Sequence, residues 1–223
     1  MPVYNEERTI LLAIKEVLGT DFNDLKLELI VINDGSNDGT GKLLEKVSDK
    51  RVKIMRHDKN QGKGAAVRTG LTKVTGEIVL VHDADLEYDP GEFMGVIKPI
   101  IDGKADVVYG SRFIGNNPHR VLYFWHYLGN KLLTLISDAL TNLNLTDVNV
   151  CTKAFLRTTI EKVTLEENGF GFDPEVTAKL AKQKCRIYEV GVSYFGRSYQ
   201  EGKKIRWTDG FRHLFCMFKY NLE

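Results

Sequence analysis

Residues 77–90, EIVLVHDADLEYDP, contain an apolar strand that ends in a run of carboxylates. The acidic residues stand at every second position, at Asp83, Asp85, Glu87 and Asp89. An extended chain points alternate side chains to the same side. Like charges gathered on one side repel each other unless a cation lies among them. The stretch therefore fits either a solvated turn, for which Asp and Pro are typical, or a divalent metal site.

The pattern of an apolar run followed by polar residues recurs through the first two thirds of the chain. β-branched runs lie at 27–34, 51–57, 77–83 and 105–111, and helical stretches lie between them at 6–18, 39–49, 62–74 and 91–102. This alternation predicts an α/β fold with a Rossmann-like, mostly parallel sheet and helices on both faces. Ligands bind such sheets at the carboxyl ends of the strands. Three polar stretches are therefore expected to share one cleft: NDGSNDG (33–39), HDADLEYD (82–89) and YGSR (109–112).

The last third of the chain predicts a different organisation. Residues 119–143 have the pattern of a long amphipathic helix, and 209–223 have that of a shorter one. Aromatic side chains near the start of the long helix, at 123–125, belong either to a core or to a lipid-facing patch. A further strand is predicted at 186–195. The chain opens with MPVYNEE, so the first strand of the sheet is expected to be missing or reduced to a stub.

Composition excludes several classes of function. The 223 residues carry a formal net charge of +1, which gives no argument for a nucleic-acid partner. The three cysteines are far apart, so neither a zinc site nor a disulfide framework is indicated, and a cytoplasmic protein with reduced thiols is expected. No apolar run approaches the ~20 residues that span a bilayer. The histidines lack metal-ligand spacing, and no G-x-S-x-G motif supports hydrolysis.

Two glycine-rich stretches are candidates for nucleotide binding. GSNDGTGKL (35–43) is not a P-loop, because five residues separate its outer glycines and Leu43 follows Lys42. Asp34, just before it, fits either a nucleotide contact or a turn cap. NQGKGAAVRTG (60–70) fits a loop whose glycines let the backbone and Lys63 approach a diphosphate. The alternative, which the stretch taken alone favours, is a loop that runs into a helix N-terminus.

Basic residues gather later in the chain. Arg112 follows YGS, and Arg197, Lys203 and Lys204 lie in GRSYQEGKKIRW. A second anionic substrate requires such a cluster, and arginine suits bidentate contact with phosphate. A solvated surface loop is the alternative.

Six stretches together resemble glycosyltransferase family 2 along essentially the whole chain. They are PVYNEE (2–7), VINDGSNDGT (31–40), NQGKGAAVRTG (60–70), VHDADLEYDP (81–90), VVYGSRF (107–113) and GRSYQEGKKI (196–205). The chain looks most like the dolichyl-phosphate mannose and glucose synthases and their bacterial undecaprenyl-phosphate counterparts. The resemblance implies one GT-A domain over 1–223, with a nucleotide-sugar part at 1–112 and an acceptor part with amphipathic helices at 113–223. It also implies a divalent cofactor, Mg²⁺ or Mn²⁺.

The resemblance assigns roles to individual residues. The donor nucleotide is expected on Pro2, Tyr4, Glu6, Asp34, Lys63, Asp83 and Ala84. The metal is expected on Asp83, Asp85 and Glu87, and the acceptor phosphate on Ser111, Arg112, His126, Arg197, Lys203 and Lys204. The catalytic residues are expected to be Asp85, Arg112 and Arg197, while Asp89 is expected to cap the turn before Pro90. The chain departs from the pattern at several positions: His126 and Asn130 replace an arginine and a serine of the mannose synthases, and Asn33, His82 and Asn149 also differ.

The reaction that this resemblance implies is inverting transfer of a hexose from UDP-glucose or GDP-mannose to a polyprenyl phosphate. A phosphate acceptor is already anionic near neutral pH and needs no strong base, so positioning and charge stabilisation suffice. The protein is then expected to lie peripherally at the cytoplasmic face of a membrane. One alternative is a family 2 enzyme with a soluble acceptor, for which Asp147, Asp173 or Glu175 would supply the base. Another is an inactive nucleotide-sugar-binding protein.

Overall fold

The strands and helices follow the predicted alternation. A computed structural model describes residues 1–115, 118–121, 123–198, 200–202 and 207–222. Its strands are β1 Pro2–Val3, β2 Leu29–Asn33, β3 Val52–Arg56, β4 Ile78–Val81, β5 Val107–Ser111, β6 Lys153–Leu156 and β7 Ile187–Gly191. Its α-helices are α1 Ile10–Gly19, α2 Thr40–Leu44, α3 Lys63–Leu71, α4 Phe93–Ile101, α5 Phe124–Thr141, α6 Arg157–Ile160, α7 Phe172–Lys182 and α8 Trp207–Leu222.

The strands form two sheets that lie in the order β1-β2-β3 and β4-β6-β5-β7. Pairing is parallel within the first sheet and between β5 and β7, whereas β6 is antiparallel to both of its neighbours. Every residue of β2 and of β5 is buried, as expected for strands covered on both faces. The predicted α/β architecture is therefore confirmed.

The first strand is the predicted stub. β1 has two residues, which pair with Ile32 and Asn33 of β2. Met1 extends the pairing, because its ammonium donates to the Ile30 carbonyl at 2.8 Å. Beyond it an apolar cavity of about 100 Å³ lies between β2, β4 and α3. Burial in this place lowers the pKa of the Met1 ammonium to about 6. The cavity thus lies at the boundary between the two sheets.

The helices of the first part cover the sheets with one apolar face each. α1 buries Ile10, Ala13, Ile14 and Val17, the i, i+3, i+4, i+7 pattern that its sequence predicts. α4 buries Phe93, Val96, Ile97 and Ile100 in the same way. The last three pack in the core of the second sheet, whereas Phe93 packs with α1 and the first sheet. The carboxyl ends of β1, β2, β4 and β5 consequently stay uncovered by these helices and open toward the last third of the chain.

Helices α5, α7 and α8 form the wall that faces those strand ends. α5 begins at Phe124 instead of the predicted 119, because residues before it run alongside the chain that follows β7. His119 forms a bridge with Tyr194, and the Arg120 amide donates to the Tyr194 carbonyl at 2.7 Å. α8 confirms the predicted C-terminal amphipathic helix and packs against α5 and α7.

Candidate active site

A cavity of about 910 Å³ lies between the strand ends and the helical wall. Twelve of the predicted site residues line it: Pro2, Tyr4, Glu6, Asp34, Lys63, Asp83, Ala84, Asp85, Glu87, Arg112, His126 and Arg197. Ser111 does not, because it is fully buried and its hydroxyl bonds Thr146 at 2.5 Å. Lys203 and Lys204 lie outside the described residues. The twelve lining residues thus share one cleft, as expected for polar residues at the strand ends.

The carboxylates after β4 do not all point to one side. β4 ends at Val81, and Leu86 has a φ of +61°, so the extended alternation breaks within the run. Asp83, Asp85 and Glu87 line the cavity. Asp89 turns away and accepts a hydrogen bond from the Gly91 amide at 2.8 Å, which is the predicted cap. Three carboxylates therefore remain for chemistry.

The two aspartates of the D-x-D motif have different electrostatic surroundings. The Lys63 ammonium donates to Asp83 at 2.8 Å, and this cation lowers the pKa of Asp83 although burial opposes the shift. Burial, together with the charges of Asp83 and Glu87, raises the pKa of Asp85 to about 7. Asp85 lies 3.5 Å from the Arg197 guanidinium, which offsets part of that effect. Each aspartate of the motif thus lies near a different cation, Asp83 near Lys63 and Asp85 near Arg197.

Arg197 occupies the centre of the remaining acidic side chains. Its guanidinium donates twice to Glu6, at 3.1 Å each, and lies 3.5 Å from Glu87. Both Glu87 oxygens are engaged, one by the Arg197 amide at 2.8 Å and the other by the Tyr194 hydroxyl at 2.9 Å. Sequence reasoning placed Arg197 toward phosphates. In this structure its guanidinium lies among Glu6, Asp85 and Glu87, and its contact with phosphates stays a prediction.

Asp34 holds a loop together at the edge of the cavity. Its carboxylate accepts from the amides of Gln61 and Gly62 at 2.9 and 2.7 Å, and from Asn60 Nδ2 at 3.0 Å. His57 Nδ1 lies 2.6 Å away. The glycines of this loop meet protein rather than open space, because a Cβ on Gly62 would fall 2.4 Å from the Asn168 carbonyl. The stretch is a loop that leads into α3, and Lys63 at the start of α3 reaches Asp83 of the D-x-D motif. The approach of this loop to a diphosphate stays a prediction.

Arg112 is fixed by a buried ion pair. Its Nε and one terminal nitrogen donate to Asp147 at 2.6 and 2.7 Å, and the Asp147 side chain is fully buried. The guanidinium also lies over the rings of Phe113 and Tyr194, at 5.5 and 5.1 Å from their centroids. Such two-sided packing locks the orientation of the charge. Arg112 therefore presents a rigid cationic group at the cavity wall.

Sequence reasoning did not single out His213 of α8, which also lines the cavity. Its Nδ1 lies 3.0 Å from Asn149 Oδ1, and Asn149 Nδ2 donates to Asn130 at 3.0 Å. The histidine stands within an apolar helical pattern, FRHLFCMF (211–218), which gave no signal of a polar role. Tertiary packing alone brings it to the site.

The donor set suits a hard divalent cation that also takes oxygen ligands from a substrate. Within the described ranges, no cluster of three or more Asp, Glu, His or Cys side chains is arranged as a complete metal site. Asp83 and Asp85 offer two carboxylates, and Mg²⁺ typically takes one or two together with substrate phosphates. The residues therefore fit such an ion only when a phosphate-bearing ligand completes its shell.

The outer side of the helical wall is apolar. Phe124, Trp125, Leu132 and Leu135 of α5 are exposed, and so are Phe211, Phe215 and Phe218 of α8. Trp125 is 76% exposed and still lines the cavity, so the apolar surface reaches the cavity mouth. None of the helices among the described residues has the length and apolar content to span a bilayer.

Comparison with solved structures identifies the architecture. The chain superposes on glucosyl-3-phosphoglycerate synthase from Mycobacterium tuberculosis, solved with Mn²⁺, uridine diphosphate and phosphoglyceric acid. The TM-score is 0.75 at 17% identity, over 99% of this chain and 76% of that chain. The fold is thus the GT-A fold of glycosyltransferases, as the sequence predicts.

Comparison of sequences gives the family. The model of glycosyl transferase family 2 matches residues 1–164, and the chain belongs to this family of enzymes. A UDP-N-acetylglucosamine–dolichyl-phosphate N-acetylglucosaminyltransferase of Methanococcus voltae is 24% identical over 95% of this chain and 90% of its own length. A dolichol-phosphate mannosyltransferase of Pyrococcus furiosus is 27% identical over 100% of this chain and 64% of its own length. The predicted family is confirmed.

Proposed function

We propose that this glycosyltransferase transfers a hexose, with inversion, from a nucleoside-diphosphate sugar to a polyprenyl phosphate. One observation carries the proposal: the cavity that holds the D-x-D carboxylates and Arg112 opens beside the exposed apolar side of α5. A phosphate at the end of a lipid chain needs a polar cavity that adjoins an apolar surface. The dolichyl-phosphate transferases among its relatives support the same acceptor class.

The donor end is assigned to the first part of the chain. Lys63, Asp83 and Asp85 would receive the diphosphate, and the donor is UDP-glucose or GDP-mannose. Asp83 and Asp85 would hold Mg²⁺ or Mn²⁺, which supplies positive charge to the departing diphosphate. Asp34 contributes by holding the loop at 60–62, which places Lys63. Pro2, Tyr4 and Glu6 line the cavity where the nucleoside is expected.

The acceptor end is assigned to Arg112, with His126 nearby on α5. A phosphate oxygen is already charged, so the protein's task is to bring it against C1 of the sugar and offset repulsion between the two anions. Arg112 is suited to this because Asp147 and two aromatic rings fix its guanidinium. Lys203 and Lys204 belong to the same prediction, outside the described residues.

The soluble-acceptor alternative requires a general base, and the three candidates are engaged otherwise. Asp147 is paired with Arg112. Glu175 is buried and accepts from the amides of Glu166 and Glu167 at 2.7 and 2.9 Å. Asp173 lines the cavity but is paired with the fully buried Lys153 at 2.5 Å. This arrangement favours an acceptor that arrives already ionised.

We further propose that α5 and α8 rest on a membrane surface, at the cytoplasmic face. Both helices expose aromatic and aliphatic side chains. Soluble proteins seldom expose large apolar patches of this kind to water. Contact with lipid would bring the cavity mouth at Trp125 to the level of the acceptor's phosphate. The lipid tail then stays in the bilayer during the reaction.

Release of nucleotide by the purified protein tests the proposal. UDP-glucose and GDP-mannose are supplied in turn, with Mn²⁺ or EDTA, and with a short polyprenyl phosphate, a soluble sugar or glycan, or no acceptor. We expect release that requires both the metal and the lipid phosphate. Release that the soluble sugar or glycan supports equally well would favour the soluble-acceptor enzyme. Nucleotide binding without release in every arm would favour the inactive binding protein.

A further inference from the structure

His213 has one ring nitrogen that no part of the described chain satisfies. The side chain lines the cavity and is 8% exposed, and its Nε2 is buried without a hydrogen-bond partner among the described residues. Leaving such a buried nitrogen without a hydrogen bond destabilises the structure. Buried polar atoms are nearly always bonded, so an orphan at a binding cavity marks a place for a ligand atom.

The hydrogen-bond chain behind the ring decides what Nε2 can bind. Asn149 donates through Nδ2 to Asn130, so the Asn149 Oδ1 is left facing His213 as an acceptor. The Nδ1 of His213 must then carry the hydrogen. Burial lowers the pKa of His213, which keeps the ring neutral. In this tautomer Nε2 has a lone pair and accepts a hydrogen bond.

The position of Asn149 places this acceptor beside the donor's reacting end. β6 pairs with β4 so that Lys153 lies opposite Val81, and the chain before Lys153 therefore passes the D-x-D motif. Cys151, two residues from Asn149, lies close enough to Asp83 to help lower the pKa of that carboxylate, and both residues line the cavity. His213 thus lines the same cavity as the D-x-D motif and contacts Asn149, which lies on the chain segment that passes the motif.

The chemistry of the ring nitrogen disfavours a phosphate as its partner. Asp173 and Asp209 are the acidic groups that act on His213, and Lys153 and Lys63 are the basic ones. Lys153 is already paired with Asp173, and Lys63 with Asp83. A neutral ring nitrogen that presents a lone pair repels an anion and attracts an O–H group.

We propose that Nε2 of His213 accepts a hydrogen bond from a hydroxyl group of the donor's sugar, an inference that rests on the function proposed above. His213 is then a specificity-determining residue, held in its tautomer by Asn149 and Asn130. α8, which the family-based assignment left without a site residue, contributes directly to donor recognition.

Equilibrium binding to nucleotide sugars and to the bare nucleotides tests this inference. For the wild type, we expect one deoxy analogue of the sugar to bind about tenfold more weakly than the parent donor. In His213→Phe the parent donor should weaken by the same factor, and that analogue should lose nothing further. Affinity for UDP or GDP alone should stay unchanged. His213→Gln, which retains an acceptor atom, should recover part of the loss.

Two controls separate the possible failures. His119→Phe changes an exposed histidine outside the cavity and should bind like the wild type. Thermal melting shows whether His213→Phe is folded, and the deoxy series on the wild type needs no variant. If His213→Phe weakens the binding of nucleotide and nucleotide sugar equally, the inference is wrong. It is also wrong if no deoxy analogue shows coupling to His213. Neither result affects the proposed function. A wild type that binds no nucleotide sugar overturns the proposed function as well.

Discussion

The parts of the chain before and after Arg112 build opposite sides of one cavity by different means. In the first part, short motifs at strand ends are cross-linked by charged and amide hydrogen bonds, as Asp34 and Lys63 illustrate. In the second, amphipathic helices supply the wall, and its outer side stays apolar and exposed. The comparison teaches that the polar groups of the cavity come from short motifs at strand ends, whereas access of the acceptor depends on helix packing.

The largest effect is expected from the D-x-D motif. Asp85→Asn should lower turnover by about 10²- to 10³-fold, because an amide keeps the shape of the side chain but removes the negative charge that would hold the metal ion. Asp89→Asn is the matched control in the same segment, since Asp89 caps a turn outside the cavity. Nucleotide release, with melting curves for both variants, measures the difference. Equal activity of the two variants would remove the metal assignment.

The buried ion pair links the two parts and should affect stability as well as activity. Arg112→Met leaves Asp147 charged and unpaired, which should cost about 3–5 kcal/mol of unfolding free energy. Arg112→Met combined with Asp147→Leu should regain most of that stability, because the buried charge is gone. Activity should stay lost in both variants. Chemical denaturation followed by the release assay checks this, and an active double variant would contradict the role of Arg112.

The apolar wall should govern attachment to lipid. Replacing Phe124 and Trp125 by serine should weaken binding to phospholipid vesicles about tenfold, since each aromatic ring buries apolar area there. The matched control replaces Leu11 and Leu12, which are exposed on α1. Vesicle sedimentation measures the partition of each variant. If the α1 variant loses binding to the same extent, the surface of α5 is not the contact.

The sequence predicts much of the first part because its signals are local. Each apolar run becomes a strand, and the polar residues after it reach the cavity by the rule for parallel sheets. Asp34 shows the limit of this reasoning. Its partners at 60–62 are 26 to 28 residues away, and no local pattern reveals that they use its carboxylate. Arg197 is a similar case, because its pairing with Glu6 joins residues 191 apart.

The second part was less predictable because the site residues on its helices follow no sequence motif. His213 reads as one more position of an apolar helix, and only the packing of α8 against α5 brings it to Asn149. The start of α5 was also misplaced, since the bridge between His119 and Tyr194 is a contact between distant segments. Periodicity describes a helix well but does not tell which neighbours its polar side chains meet.

The placement of Arg197 has a consequence for the order in which molecules arrive. Among the residues that the structure describes, Asp85 and Glu87 both lie 3.5 Å from this one guanidinium, and Asp83 is matched by Lys63, so these three carboxyl groups share two cations. A diphosphate diffusing in alone meets net repulsion, which slows encounter most at low ionic strength. An anion that arrives already complexed with a cation does not. The association rate of the donor should therefore rise with added salt or divalent ion. The electrostatic potential of the cavity would then favour binding of the diphosphate after it has formed a complex with the cation.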